Sequence, residues 1–403
     1  MKVLASAYSC APGLGSEPGA GWQWARASAQ NNEVWLLTQE VNRERLEPFL
    51  DTYPELRVKM HPVYVPAPRW AHRLKGDGEG KHLLHYIVWQ RAARKVGARL
   101  HAAVSFDVAH HITWTVAWLP SGISKIPGLP FVWGPVSGGG GVPRGFWRWL
   151  GWRGSVQEGV REATLPLGRF LFGSGPLRRS SLVLAQSEEF ARWARKKSRT
   201  PVVVEPVVAF PTWEIPKGAR ERGSNGDGRT AIFAARMVPW KGLRLAIAAI
   251  ARPEAAGWRL DVYGNGPEEG AGRKLASRLG VEDRVRFLGR IDRKELDEAI
   301  LAADAFLHPS IHDAPPFVVA EALGTGCPVI CIDHGGSAVL VEDGQGVKVP
   351  PGKDLAGALA EALASAPPRF EPSTRWLRGR LPDRLSDWYA KAIAEAKSSR
   401  ERL

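Results

Sequence analysis

Cysteine, methionine and tyrosine are scarce in this chain of 403 residues: three, three and six. Cys10, Cys327 and Cys331 are too few to staple a secreted scaffold and lack metal-ligand spacing, so a reducing, cytoplasmic compartment is expected. No apolar run reaches the ~18 residues of a membrane-spanning helix. The N-terminus, MKVLASAYSCAPG, meets Gly and Pro too early for a signal peptide and reads as a first strand. Acidic residues are thin in one half only. Residues 1–200 hold 14 Asp and Glu against 27 Lys and Arg, whereas residues 201–403 hold 27 against 28.

What is present is globular: 44% hydrophobic and 24% charged residues exclude a disordered chain. At about 100–200 residues per domain, the length suits two or three domains. The net charge of +14 belongs to the first half, which is +13 against +1 for the second. Residues 143–199 alone carry 12 basic and 4 acidic side chains. That stretch suits an anionic partner (nucleic acid, anionic lipid or a phosphorylated substrate), or else a merely solvated basic surface.

Both halves alternate short apolar runs with helical patterns, which predicts βαβ units around parallel sheets. The expected strands of the first half are Lys2–Ala7, Glu33–Thr38, Val58–Val65, Val104–His110, Phe131–Trp133 and Leu182–Ala185. Those of the second are Ala231–Ala235, Arg259–Tyr263, Val285–Leu288, Ala305–His308, Pro328–Ile332 and Val347–Val349. Helices are expected between them, among others at Gly21–Gln30, Lys81–Leu100, Leu243–Ala251 and Arg273–Leu279. The Gly/Pro-rich stretch Ala209–Arg229 reads as a surface loop near a domain junction. The expected division is a Rossmann-like domain over 1–200, a second over 201–370, and a helical tail over 371–403 that returns to the first. In tandem doubly wound domains, ligands bind at the C-terminal ends of strands, facing a shared cleft.

The densest chemistry follows the strand that ends in His308. There IHDAPPFVVAEALGTG places Asp313 in a loop, Pro316 at a helix start and Glu321 about one turn into the helix. A helix N-terminus is an anion site, and a carboxylate beside it can accept hydrogen bonds from a ribose diol. Upstream, Arg236 and Lys241 flank the turn after strand Ala231–Ala235. Arg grips two phosphate oxygens through its fork and Lys adds a compact charge, although either alone is an ordinary surface cation.

Asp313 and Glu321 at this spacing, the preceding Arg236 and Lys241, VYGNGPEE, VRFLGRI and HGGSAVLVEDGQG together resemble the retaining glycosyltransferases of family 4, over essentially the whole chain. The resemblance implies an α/β, GT-B fold: two Rossmann-like doubly wound domains facing across a cleft. It implies that Arg236 and Lys241 hold the donor diphosphate and Glu321 the ribose hydroxyls. It also implies a catalytic place for Asp313 near the donor sugar, where the family usually has the longer Glu. Backbone amides here fall to Phe317 and Val318, since Pro315 and Pro316 have no N–H.

In the first half, the glycines of CAPGLGSEPGAGW allow close backbone approach to a ligand but do not fit the dinucleotide fingerprint, which disfavours a dehydrogenase. By resemblance, Gly19 approaches the donor phosphate and Glu17 faces the acceptor. Glu17 also suits the start of a helix as a dipole-favouring acid. His111 matches the family's functional histidine near the donor sugar, though a His beside a strand is often structural. Gly138 and Gly139, in FVWGPVSGGGG, shape an acceptor pocket or simply turn the chain.

The implied reaction moves a sugar from a nucleoside-diphosphate sugar to a hydroxyl with retention, in a bacterial polysaccharide-type setting with a glycan or lipid-linked acceptor. The chain contains no Asp-x-Asp, so no metal is called for, and no cofactor beyond the sugar nucleotide. A glycoside hydrolase is disfavoured because neighbouring cations depress the pKa of a proton-donating acid. A nucleotide-sugar epimerase and a nucleic-acid-binding protein remain alternatives, although no specific nucleic-acid motif accompanies the charge. Arg alternates with Trp and Phe in VPRGFWRWLGW, and with the basic residues to Arg199 this predicts peripheral attachment to an anionic membrane through the first domain, on the inner face of the plasma membrane. Burial of those Trp between domains is the other reading.

Overall fold

The structure is a computed structural model describing residues 1–401 except 15, 68–78, 139, 207–227, 313, 374 and 376–377. Most of the Gly/Pro-rich stretch 209–229 therefore lies outside the described residues. The chain forms two compact units: Met1–Gly139 with Thr164–Ala209 and Leu377–Leu403, and Gly140–Ala163 with Phe210–Trp376.

The first unit holds strands β1 (Lys2–Ser6), β2 (Glu33–Gln39), β3 (Met60–Val65), β4 (Val108–His111), β5 (Phe131–Val136), β6 (Leu182–Ala185) and β7 (Val202–Val204). They make one parallel sheet in the order β3-β2-β1-β4-β5-β6-β7. The second unit holds β8 (Arg229–Ala234), β9 (Trp258–Tyr263), β10 (Val285–Gly289), β11 (Ala305–His308), β12 (Val329–Ile332) and β13 (Gly346–Val349), all parallel in the order β10-β9-β8-β11-β12-β13. Each order reverses once, between β1 and β4 and between β8 and β11. The loops leaving those paired strands diverge and open a crevice, the place where such sheets bind ligands.

Helices cover both faces, which is why most strands read as continuous apolar runs. In the first unit Trp24, Trp388 and Tyr389 join one core layer, and Tyr86, Trp89 and Trp133 the other. The C-terminal helix Leu381–Glu401 packs in the first unit through Leu385, Trp388 and Tyr389. Tyr389 Oη lies 2.8 Å from His110 Nδ1, and His110 Nε2 lies 2.7 Å from the Gly134 carbonyl.

Several local expectations shift. Val58 belongs to a short helix, Pro54–Lys59, started by Pro54 at its first position, so β3 begins at Met60. Val104 ends the long helix Glu79–Val104 rather than opening β4. Strand β7 was not expected; three valines beside a Pro are too short a run to register. Residues 143–163 were assigned to the first domain, but 140–163 fold with the second unit. Phe146 and Leu150 enter that unit's core, with Trp147 and Trp149 packed against it. Phe146 is therefore structural and Trp147 and Trp149 are partly covered, whereas Trp152 of VPRGFWRWLGW is 74% exposed. Among the described residues, no helix is long and apolar enough to cross a membrane.

Candidate active site

In the second unit, chain-to-chain contacts gather the cationic loop. After β8 the backbone of Met237 donates to the Asn265 carbonyl (2.8 Å), and the Glu268 N–H donates to the Met237 carbonyl (3.0 Å). Gly266 makes this possible, since a Cβ there would lie 2.4 Å from the Met237 oxygen. The VYGNGPEE motif therefore shapes the turn that carries Arg236, which is exposed. Arg244 grips the Glu268 carboxylate at 2.5 and 3.1 Å and fixes the same turn from behind.

Lys241 lies in the one-turn 3-10 helix Pro239–Lys241. The Trp240 carbonyl accepts from the Ile311 N–H (3.1 Å) and the Ser310 hydroxyl (3.2 Å). Gly242, at φ +79°, sits where a Cβ would be 2.4 Å from the Pro309 oxygen. The loop after β8 is thereby docked on the loop after β11, which leads to Asp313. Asp313 itself lies outside the described residues.

Helix Phe317–Gly324 follows, with Pro316 in extended conformation at its cap and no side-chain cap. The N–H groups of Phe317 and Val318, at its start, have no intrahelical acceptor. Glu321 is 5% exposed and pairs with Arg293, which also reaches Asp297 at 2.9 Å. Burial raises the Glu321 carboxyl, and Arg293 pulls it back only in part. Glu321, the carboxylate implied for the ribose, already has a guanidinium on Oε1. Sequence reasoning missed Arg293, whose signal is its place right after Asp292, the acid of a capping box with Glu295.

A second buried cluster also went unread. Glu158 is 3% exposed and accepts from Arg161 (2.6 Å) and His312 (2.9 Å). Burial raises its carboxyl, but the hydrogen bonds with His312 and Arg161 outweigh that and hold it below the usual range. His312 directly precedes Asp313, so Glu158 and Arg161, one helical turn apart, anchor the loop bearing that acid.

The first unit builds a different site, neutral and aromatic, where β1 and β4 end. Tyr8 Oη lies 2.7 Å from His85 Nδ1, and its ring meets Tyr86, Trp89 and Trp114 edge-on at 5.1–5.2 Å. Tyr86 Oη donates to the Pro120 carbonyl at 2.9 Å and lies 3.3 Å from His111 Nε2. Burial and the adjacent His110 push His111 down to about 3, so it is neutral at physiological pH.

Glu17, exposed as a residue, turns its carboxylate to the Trp114 N–H at 2.5 Å. Desolvation raises its carboxyl while that hydrogen bond lowers it. The bond holds Trp114 at φ +57°, a conformation uncommon for a bulky residue and often found at functional sites. Gly19 and Gly21 permit close packing against their own chain: added Cβ atoms would meet the Leu14 and Ser9 carbonyl oxygens at 1.9 and 2.2 Å. Gly138 is a turn glycine at φ +83°, pressed on Trp118, and its carbonyl accepts from Arg169 at 3.2 Å. Gly139 lies outside the described residues. Among the described residues, no three acidic, His or Cys side chains group as a metal site.

Residues 215–375 match the family model described as Glycosyl transferases group 1. An exopolysaccharide phosphotransferase of Streptomyces coelicolor is 36% identical over 155 residues, 37% of this chain and 16% of that one. A D-inositol 3-phosphate glycosyltransferase of Catenulispora acidiphila is 31% identical over 209 residues, 46% of this chain and 49% of the relative. The chain thus spans about half the length, or less, of these curated relatives. Among solved structures, the lipopolysaccharide outer core galactosyltransferase WaaB matches at TM-score 0.62 and 15% identity, covering 99% of this chain and 100% of that one. HepE of Anabaena in complex with UDP matches at TM-score 0.54 and 17% identity, covering 97% and 100%. The two parallel Rossmann-like units are those of the GT-B fold, and the segment that builds the cationic site is the one matching the group 1 glycosyl transferases.

Proposed function

We propose that the chain is a retaining glycosyltransferase that moves a sugar from a nucleoside-diphosphate sugar to a hydroxyl of a lipid-linked or cell-envelope glycan on the cytoplasmic side. One observation carries the reading: the turn bearing Arg236 and Lys241 is docked on the loop that leads into helix Phe317–Gly324, at the sheet reversal between β8 and β11. Departure of a nucleoside diphosphate builds negative charge, and fixed cations with a helix terminus stabilise it selectively. In the reading, Arg236, Lys241 and the amides of Phe317 and Val318 receive the diphosphate without a metal. Glu321, steadied by Arg293, takes a ribose hydroxyl, and Asp313 lies by the sugar.

The bond from the anomeric carbon to the diphosphate breaks as the bond to the acceptor oxygen forms on the same face. The acceptor's proton passes to the leaving phosphate oxygen, giving glycoside and nucleoside diphosphate. His111, neutral, contributes a hydrogen bond rather than charge, and Glu17, Gly138 and Gly139 border the acceptor.

UDP is the nucleotide to try first, because HepE was solved with UDP and with UDP-glucose. UDP should raise the melting temperature of the wild-type chain by several degrees and leave that of Lys241→Ala unmoved, with or without EDTA. No shift with any nucleoside diphosphate would sink the reading.

A further inference from the structure

The first unit contains a cavity of about 730 Å³ away from the residues given roles above. Arg91, Arg94 and Lys95 reach it from one face of helix Glu79–Val104, and Lys125 faces them from a short 3-10 turn, Ile123–Lys125. No acid is among the described lining residues, and the helix carries none after Glu79. The wall is built rigidly. Gln90 Oε1 accepts the Gly122 N–H at 2.6 Å, and a Cβ on Gly122 would lie 1.9 Å from the Gln90 backbone carbonyl oxygen. Ser121, which lines the cavity, is 1% exposed and its hydroxyl has no partner among the described residues. A buried hydroxyl left this way is costly unless a ligand satisfies it.

The rim is apolar and outward-facing. Leu171 and Phe172 line the cavity, and Leu167 and Phe170 stand beside them in sequence, with Phe170 75% exposed. The turn carrying Phe170–Phe172 is a π-helical insertion, Arg169–Gly173, a device frequent at functional sites. Four cations and no described acid in the cavity lining match a phosphate; neighbouring exposed apolar side chains match hydrocarbon. Nucleic acid offers the first and not the second.

We propose that this cavity takes the phosphate headgroup of an anionic membrane lipid while Leu167, Phe170, Leu171 and Phe172 enter the bilayer. The site deepens the acceptor side of the function proposed above and is independent of donor chemistry. It lies beside the neutral site: Pro120, which lines it, accepts from Tyr86 Oη.

Co-sedimentation of the full chain with phosphatidylglycerol-containing vesicles, against pure phosphatidylcholine, tests it. Neutralising Arg94→Gln with Lys95→Gln should weaken binding by about 30-fold, at roughly fivefold per charge near an anionic surface. Phe170→Ser should weaken it by about tenfold through lost insertion. All three positions are exposed, so melting temperatures should not move. Unchanged vesicle binding in both variants overturns the proposal, as does equal binding to phosphatidylcholine. Displacement by inorganic phosphate beyond that by chloride at equal ionic strength would make this a soluble-phosphate site and overturn it too. So would a duplex DNA whose binding alone falls in Arg94→Gln with Lys95→Gln. UDP protection in the same variants reports separately on the transferase reading.

Discussion

The two candidate sites invert the charge of the halves that carry them. The first half is +13, yet its site is built on neutral Tyr8, Tyr86, His111 and Trp114 joined by hydrogen bonds and ring edges, with the Glu17 carboxylate on the Trp114 N–H. The second unit, residues 140–163 included, is +1, as is the second half, yet its site is dense with ions: Arg236, Lys241, Arg293 with Glu321, and Glu158 with Arg161 and His312. Summed charge describes a surface, while chemistry depends on which charges are desolvated and opposed. In the second unit each buried acid has a cation beside it, so the sum is near zero where the local fields are strongest. In the first, part of the surplus sits on exposed helical positions such as Arg94 and Lys95, at the cavity they line with Arg91 and Lys125.

Acid should break this symmetry with the largest effect. His110 and His111 are buried and neutral, pushed down by burial to about 4 and about 3. The unfolded chain, with its His near pKa 6.5, binds protons that the folded unit refuses. Stability is therefore lost as pH falls below ~6.5 and continues to fall until the folded values are reached, on the order of several kcal/mol for the pair. In the second unit the signs oppose each other. Glu158, held low, loses its contribution only as pH falls below the ordinary carboxyl range; Glu321, held high, loses its own as pH rises through its folded value. Hydrogen exchange followed by mass spectrometry near pH 5 should show β4 peptides losing protection before β8 and β11 peptides. The reverse order would mean the histidines are not neutral in the fold.

Catalysis should divide the sites more narrowly. On the proposed reading Arg236 acts on the leaving diphosphate, so Arg236→Ala should lower kcat by about 100–1000-fold. His111→Phe removes one neutral hydrogen bond and should cost about tenfold. Equal losses in single-turnover assays would deny that the second unit supplies the charge.

The same contrast explains what was legible in sequence. The strand plan could be read because parallel strands buried on both faces are continuous apolar runs; Leu182–Ala185 and Ala305–His308 were read to the residue. Arg236, Lys241 and Glu321 were singled out through the motifs that carry the family resemblance; taken alone, either cation reads as an ordinary surface charge. The partners of those charges were invisible. Arg293 lies 28 residues from Glu321, and Glu158 lies 154 from His312, so only the tertiary fold brings them together. Segment 140–163 was misassigned for a related reason: its basic, Trp-rich composition continues that of the first half, while Phe146 and Leu150 pack in the core of the second unit.

The smallest test compares one hydrogen-bonded group from each site. Glu158→Gln keeps the shape of the side chain but removes a buried charge that receives two charge-assisted bonds, at 2.6 and 2.9 Å. Losing that should cost about 1.5–3 kcal/mol in urea unfolding, the range for hydrogen bonds to charged groups. It should also raise the KM for the donor, because His312 anchors the loop of Asp313. Tyr86→Phe removes a neutral bond of 2.9 Å to the Pro120 carbonyl and should cost about 1 kcal/mol, with the donor KM unchanged. The introduced side-chain amide can still accept one bond, so Glu158→Ala should exceed Glu158→Gln if charge and hydrogen bonding both contribute. A larger loss from Tyr86→Phe than from Glu158→Gln would show that the neutral network, not the paired ions, is the more tightly held of the two.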